Sequence, residues 1–429
     1  MRDLKAMPWL SLKSAKRPLK NKKSLCRPGL SGADPRQNQE DVPMSLNPGL
    51  NTICVHAGTK RDPLTGGVNT PCHGSSSYLH PNPHTRETAY PRYSNTPSQK
   101  APAEKIAALE GAEAGLVLAS GMAAVTTAIL AFAQKGDHLI FQSGLYGGTQ
   151  YFLRDQLERM GISYDFALPE DPGSFARAIR PNTRLIYVET PNNPLLKITD
   201  LALIAELAQA NGLVSIADNT FASPVNQNPL KQGIDLVVHS GTKYLNGHSD
   251  LVCGAIAASQ KHIQKVHQVM VNLGGSLNMQ DCQLLERGLK TLGLRVARQN
   301  QNAAQMADFL ARDKRVKKVY YPGLADHPGH EVAKKQMKGM GGMLSFELAA
   351  GPKEAAGLMS MLKVITPAIS LGGVESLICR PGQTSHAHLS AEQKQAEGVT
   401  DSLLRLSLGI EEIEDLLDDM DQALSRALS

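Results

Sequence analysis

From position 101 onward the apolar residues fall into two alternating rhythms, short continuous runs and stripes at helical spacing. The runs at 115–119, 138–142, 162–167, 184–189, 213–217 and 235–239 predict strands. Between them, helices are predicted over 101–110, from Ser120-Gly121 to 133, over 148–160, and from a cap at Asp200 to Asn211-Gly212. Strands that are apolar on both faces must be covered on both faces. The pattern therefore predicts an α/β fold with a mainly parallel central sheet between helical layers. After Asn278 the rhythm changes. A long Gln- and Arg-rich helical stretch runs to Arg312, then strands are predicted at 316–321, 343–348 and 403–408, and an amphipathic helix at 411–428. This reads as a smaller C-terminal α+β domain over 279–429, behind a first domain over 101–278 and an N-terminal segment over 44–100.

A chain of 429 residues has room for such a two-domain body. No stretch approaches the roughly 18 to 20 apolar residues of a membrane span, so no membrane partner is expected. The net charge of +5 changes meaning once it is located. Residues 1–43 hold ten Lys or Arg against four Asp or Glu, which leaves the rest of the chain near neutral and gives no reason to expect a nucleic-acid partner. The basic leader has three readings: a disordered or spurious extension ahead of a start at Met44, an organelle transit peptide, or a nucleic-acid-binding arm. Its lack of an apolar core excludes a secretory signal. The six cysteines, at 26, 54, 72, 253, 282 and 379, form no C-x-x-C pair and no metal-ligand spacing. No metal is expected, and scattered thiols suit buried packing in a reducing, cytoplasmic setting.

Ligands of an open parallel sheet bind beyond the carboxyl ends of its strands, and that is where the chemistry-bearing residues stand. Lys243 closes Ser240-Gly-Thr242-Lys243, directly after a predicted strand. Desolvation there would favour the neutral amine that attacks an aldehyde, and the two hydroxyls can bond a phosphate. Taken alone, the same tetrapeptide is an ordinary surface turn. Asp218 ends another strand, where it could keep an aromatic nitrogen protonated, or simply cap a turn. Ser120-Gly121-Met122 opens a helix whose free amides suit a phosphate, or forms a plain tight turn. Tyr146 could stack on a flat ring and move protons. Asn193, in a proline-rich loop after Glu189, offers an amide to a ligand. Five such strand ends in one chain outweigh the bland reading of each.

In this order these segments resemble the cystathionine γ-synthase family, the Cys/Met-metabolism enzymes. The matching motifs are Tyr-Pro-Arg-Tyr-Ser-Asn-Thr-Pro at 90–97, Ser-Gly-Met-Ala-Ala at 120–124, Tyr-Gly-Gly-Thr at 146–149 and Glu-Thr-Pro-Asn-Asn-Pro at 189–194. They continue with Ala-Asp-Asn-Thr-Phe at 217–221, Ser-Gly-Thr-Lys-Tyr at 240–244, Ser-Leu-Gly-Gly at 370–373 and Arg-Leu-Ser-Leu-Gly-Ile-Glu at 405–411. The resemblance implies a type I, aspartate-aminotransferase-like fold for pyridoxal 5'-phosphate enzymes and a homotetramer built from dimers. Lys243 would be the Schiff-base lysine and proton shuttle, Asp218 the partner of the pyridine nitrogen, and Tyr146 the stacking ring. Gly121, Met122, Ser240 and Thr242 would hold the phosphate, with Tyr90 and Arg92 reaching the cofactor of a neighbouring subunit. Arg405 would clamp the substrate α-carboxylate, helped by Asn193 and Ser370.

The family carries out β-elimination, γ-elimination and γ-replacement on sulfur amino acids, and its markers conflict here. Ile369 stands where members that handle cystathionine by γ-chemistry often have Glu; an apolar residue there resembles plant-type cystathionine β-lyases and methionine γ-lyases. Gly148 stands where methionine γ-lyases usually have Cys. Tyr-Pro-Gly-Leu at 321–324, His-Pro-Gly-His at 327–330 and the segment 341–346 are shared by the β-lyase and γ-synthase branches. The expected activity is a β-lyase cleaving cystathionine, with a γ-synthase or γ-lyase as the alternative. Arg380 beside the 384–386 segment departs from the usual pattern; it would bias substrate charge or face solvent. Two readings lie outside this class. A dinucleotide site at 339–344 lacks its third glycine and precedes a strand. A catalytically inactive binding relative conflicts with a full set of cofactor residues.

Overall fold

The computed structural model describes residues 48–80, 88–387 and 389–428. The basic leader, and every reading of it, lies outside these residues. The seven strands of the large sheet are β1 (Ala114–Leu118), β2 (His138–Gln142), β3 (Ser163–Ala167), β4 (Thr183–Glu189), β5 (Val214–Asp218), β6 (Leu236–Ser240) and β7 (Gly254–Ala258), in the order β1-β7-β6-β5-β4-β2-β3. The β2–β3, β2–β4, β4–β5 and β5–β6 pairs are parallel, whereas β7 runs antiparallel to both β1 and β6. Alternation along each strand feeds two cores. Leu139 and Phe141 pack with the helix Gly121–Leu130, and Ile140 packs on the opposite face with the helix Leu201–Ala210. Asp200 caps the latter helix as expected, accepting from the amides of Ala202 and Leu203.

The small sheet is β10-β11-β12-β9-β8 in spatial order, with β8 (Val316–Tyr320), β9 (Met343–Leu348), β10 (Thr366–Pro367), β11 (Leu377–Cys379) and β12 (Leu403–Ser407). Leu404 and Leu406 of β12 turn towards the helices, into a core with Met306, Leu416 and Met420. Arg405, between them, belongs to the other face. Gly341-Gly342 leads straight into β9 rather than opening a helix, which disposes of the dinucleotide reading.

Several elements differ from the sequence pattern, the unpredicted helix Gln260–Leu273 among them, and three have a readable cause. β7 is built from Gly-Ala-Ile-Ala-Ala, residues with little strand preference, and is defined by fitting fully buried between β1 and β6. The single helix predicted from 279 to 312 is two, Met279–Leu289 and Leu292–Arg312. Buried Arg295 makes the break tolerable: it donates to the Gly288 and Tyr244 carbonyls and to the Thr291 hydroxyl. The helix predicted over 148–160 is α only over Gly147–Phe152, then widens into a π-helical turn at Leu153–Leu157. Among the described residues no helix is long and apolar enough to cross a membrane, and no group of His, Cys, Asp and Glu could hold a metal. Cys54, Cys253, Cys282 and Cys379 are buried free thiols; Cys72 is exposed.

Candidate active site

The carboxyl ends of β1, β2, β4, β5 and β6 open into one cavity of about 550 Å³, closed on its far side by the segment 369–371 and by Arg405 of β12. The cavity brings together ten of the twelve residues singled out from the sequence: Gly121, Met122, Tyr146, Asn193, Asp218, Ser240, Thr242, Lys243, Ser370 and Arg405. Tyr90 and Arg92 are elsewhere, Arg92 on the short 3-10 helix Pro91–Tyr93 and Tyr90 directly before it. There Arg92 donates to the Val271 carbonyl (2.8 Å) and its guanidinium lies over the rings of Tyr90 and Tyr93.

At one end of the cavity, Ser120 caps the helix Gly121–Leu130 by accepting from the Ala123 amide. Gly121 and Met122, the first two helix residues, line the cavity at the positive end of the helix dipole. Gly121 is required there: a Cβ would stand 2.7 Å from Cβ of Ser240, so only glycine lets helix and β6 meet. Thr242 is already engaged, its hydroxyl donating to the Cys253 carbonyl and accepting from the Cys253 amide. At the opposite end, the buried Asp218 accepts from the Thr220 amide (2.9 Å) and the Tyr187 hydroxyl (3.3 Å). Burial pushes its carboxyl up; the hydroxyl and amide of Thr220, and the charge of His239, pull it back down. His239 is itself held by Glu110 at 2.7 Å, both side chains out of solvent.

Lys243 lies between these ends, its Nζ donating to the Ser370 hydroxyl at 2.9 Å. Burial first, and the Arg405 guanidinium second, lower the amine to about 8, so a useful fraction is neutral and nucleophilic near neutral pH. Ser370 holds this place with φ +116°, a conformation that L-residues rarely adopt. Tyr146, 45% exposed, forms a side of the cavity. A Cβ on Gly148 would come within 2.6 Å of its ring, so that glycine makes room for it. Buried Arg405 donates through Nη1 to Asn193 Oδ1 (3.0 Å) and through Nη2 to the Ser370 carbonyl (3.0 Å). Its Nε has no hydrogen-bond partner among the described residues. A guanidinium with one edge fixed and a buried donor still to satisfy suits a carboxylate.

These features fit pyridoxal phosphate: a helix N-terminus for the phosphate, a weakly basic amine for the aldehyde, and a buried carboxylate for a cationic ring nitrogen. Sequence reasoning passed over Glu189, Thr220, Tyr187, Tyr151 and Val252. Glu189 is the register neighbour of Asp218 on β4, and its position at a strand end, like that of Thr220 just after β5, was the available signal. Arg380 is a correction to expectation. It neither lines this cavity nor faces solvent, but is buried and donates through Nε and Nη2 to the Asp401 carbonyl.

Comparison with known proteins adds three kinds of likeness. A family model described as "Cys/Met metabolism PLP-dependent enzyme" matches residues 51–425. A cystathionine γ-lyase of Bacillus subtilis (strain 168) is 44% identical, covering 87% of this chain and 98% of that protein; the cystathionine β-lyase MetC of the same organism is 43% identical, covering 87% and 96%. A solved structure of cystathionine γ-synthase from Xanthomonas oryzae pv. oryzae, in complex with aminoacrylate and cysteine, superposes with a TM-score of 0.86 at 40% identity, over 89% of this chain and 99% of that one.

Proposed function

The chain belongs to the Cys/Met metabolism PLP-dependent enzymes, and on that premise we propose that it is a carbon–sulfur lyase cleaving cystathionine by β-elimination to homocysteine, pyruvate and ammonia. When bound, pyridoxal phosphate supplies an aldehyde for the substrate amine and a protonated ring that absorbs the electron pair left at Cα. Gly121, Met122, Ser240 and Thr242 hold its phosphate, Asp218 its ring nitrogen and Tyr146 its face. Arg405, steadied by Asn193 and Ser370, binds the substrate α-carboxylate and so fixes which bond at Cα faces Lys243. Lys243 Nζ takes the Cα proton. The Tyr146 hydroxyl gives a proton to the departing sulfur. Tyr90 and Arg92, at a distance from the cavity of their own chain, serve the cofactor of a second copy in a homotetramer.

The observation that carries the choice of β-elimination is Ile369, 73% exposed at the cavity mouth and directly before Ser370. The 368–373 segment beside the amine carries no carboxylate. β-Elimination needs one proton removed, from Cα; γ-elimination needs a second removed from Cβ, and this wall adds no base for it. γ-Chemistry is the second reading, supported by relatives of nearly equal identity that include a γ-lyase and a γ-synthase. The discriminating experiment incubates the enzyme, loaded with cofactor, with cystathionine. Pyruvate with homocysteine is the expected result; 2-oxobutyrate with cysteine would replace this reading by γ-elimination. The free, mostly buried thiols support a cytoplasmic setting.

A further inference from the structure

Glu189 ends β4 inside the cavity, and its carboxylate is out of solvent. Its two oxygens are divided between two loops. Oε2 accepts the amide of Tyr146 at 2.8 Å, and Oε1 accepts the amide of Asn193 at 3.1 Å. The first loop carries the ring on the cofactor side of the cavity. The second carries the side chain whose Oδ1 receives Arg405. On the neighbouring strand, in register, stands Asp218. Burial, and then the charge of Asp218, push the Glu189 carboxyl up, while the amides of Tyr146 and Asn193 pull it back down. An acid set beside a like charge in a dry site is costly, and would be better replaced by an apolar side chain if only packing were at stake.

We propose that Glu189 is a positioning residue, which sets the distance between the cofactor-facing ring of Tyr146 and the substrate-facing Asn193–Arg405 pair by tying both loops to one carboxylate. Both tied loops follow strands of the large sheet, β2 and β4, while Arg405 reaches Asn193 from the small sheet, and their mutual placement must hold within a fraction of an ångström for proton transfer. A carboxyl group offers a separate oxygen to each of the two divergent amides; glutamine has one acceptor oxygen and turns an NH2 against the other N–H. The proposal rests on the cofactor reading above and is independent of the choice between β- and γ-elimination.

The test is Glu189→Gln, compared with wild type in three measurements. These are pyridoxal phosphate affinity by equilibrium dialysis, visible circular dichroism of the bound cofactor, and KM for cystathionine. Loss of one of the two accepted bonds predicts cofactor affinity weakened roughly 10-fold or more, an altered dichroic band, and a raised KM in the same variant. A folded variant with unchanged affinity and band overturns the proposal. So does a raised KM with an unmoved band, which would make Glu189 a support for Asn193 alone. Should the variant fail to fold, hydrogen exchange on the wild-type apo-protein decides. The Tyr146 and Asn193 amides are expected to be the slowest in their loops and to exchange together; free exchange of either removes the tie.

Discussion

The two sheets reach the cavity in different ways. The large sheet contributes by its ends: Tyr146, Asp218, Ser240 and Lys243 all follow or close a strand, and each sits in a short motif of small and polar residues. The small sheet contributes from within. Arg405 is the third of five residues in β12, flanked by Leu404 and Leu406 that belong to a separate core. The first arrangement builds a cofactor site out of backbone amides and turn geometry. The second lends a single long side chain, held by Asn193 and Ser370, to whatever the first has bound. Cofactor capture and substrate docking should therefore be separable by mutation.

The largest effect is expected on the large-sheet side. Lys243→Ala should lower turnover by roughly 10⁴-fold and abolish covalent capture of pyridoxal phosphate, read as loss of the bound cofactor's absorbance after borohydride treatment and dialysis. Retained activity would remove the mechanism altogether. On the small-sheet side, Arg405→Lys keeps the charge but loses the two-pronged grip, and should lower kcat/KM by about 100-fold, chiefly through KM. Its cofactor affinity should stay as in wild type; a parallel loss of cofactor would show that the two sheets do not divide the work. The smallest effect concerns pH. Because Lys243 is lowered to about 8, its neutral fraction rises through that pH, and uptake of pyridoxal phosphate by the apo-protein should quicken about 10-fold from about pH 7 to about pH 9. Uptake that slows over the same interval would contradict a neutral-amine attack.

The same contrast explains what was legible in the chain. The parallel strands announce themselves as β-branched runs, and the residues just beyond them could be read as a site because strand ends are where such sheets bind ligands. Asp218 and Lys243 were found in this way. Arg405 carries no local signal, since an arginine within a strand looks like any solvated face, and it took the family likeness to give it meaning. β7 was missed because its burial comes from neighbours rather than from its own Gly-Ala composition. The break at Lys290-Thr291 was invisible because Arg295 satisfies it from one turn further on and from across a loop. Glu189 stood in a recognised motif, but its partners are two backbone amides that no pattern of side chains reveals. Arg380 drew attention as an irregularity and turned out to fasten a loop.

Ser370 touches both cations of the cavity, its hydroxyl meeting Lys243 and its carbonyl meeting Arg405. Of the two influences that weaken the lysine as a base, burial is permanent, but the field of the guanidinium is not. On the proposed reading, a carboxylate seated on Arg405 would cancel that field, and proton affinity at residue 243 would climb at the moment a substrate arrives. The resting amine would thus be free enough to hold an aldehyde, and the occupied one hungrier for hydrogen, with timing supplied by the ligand itself.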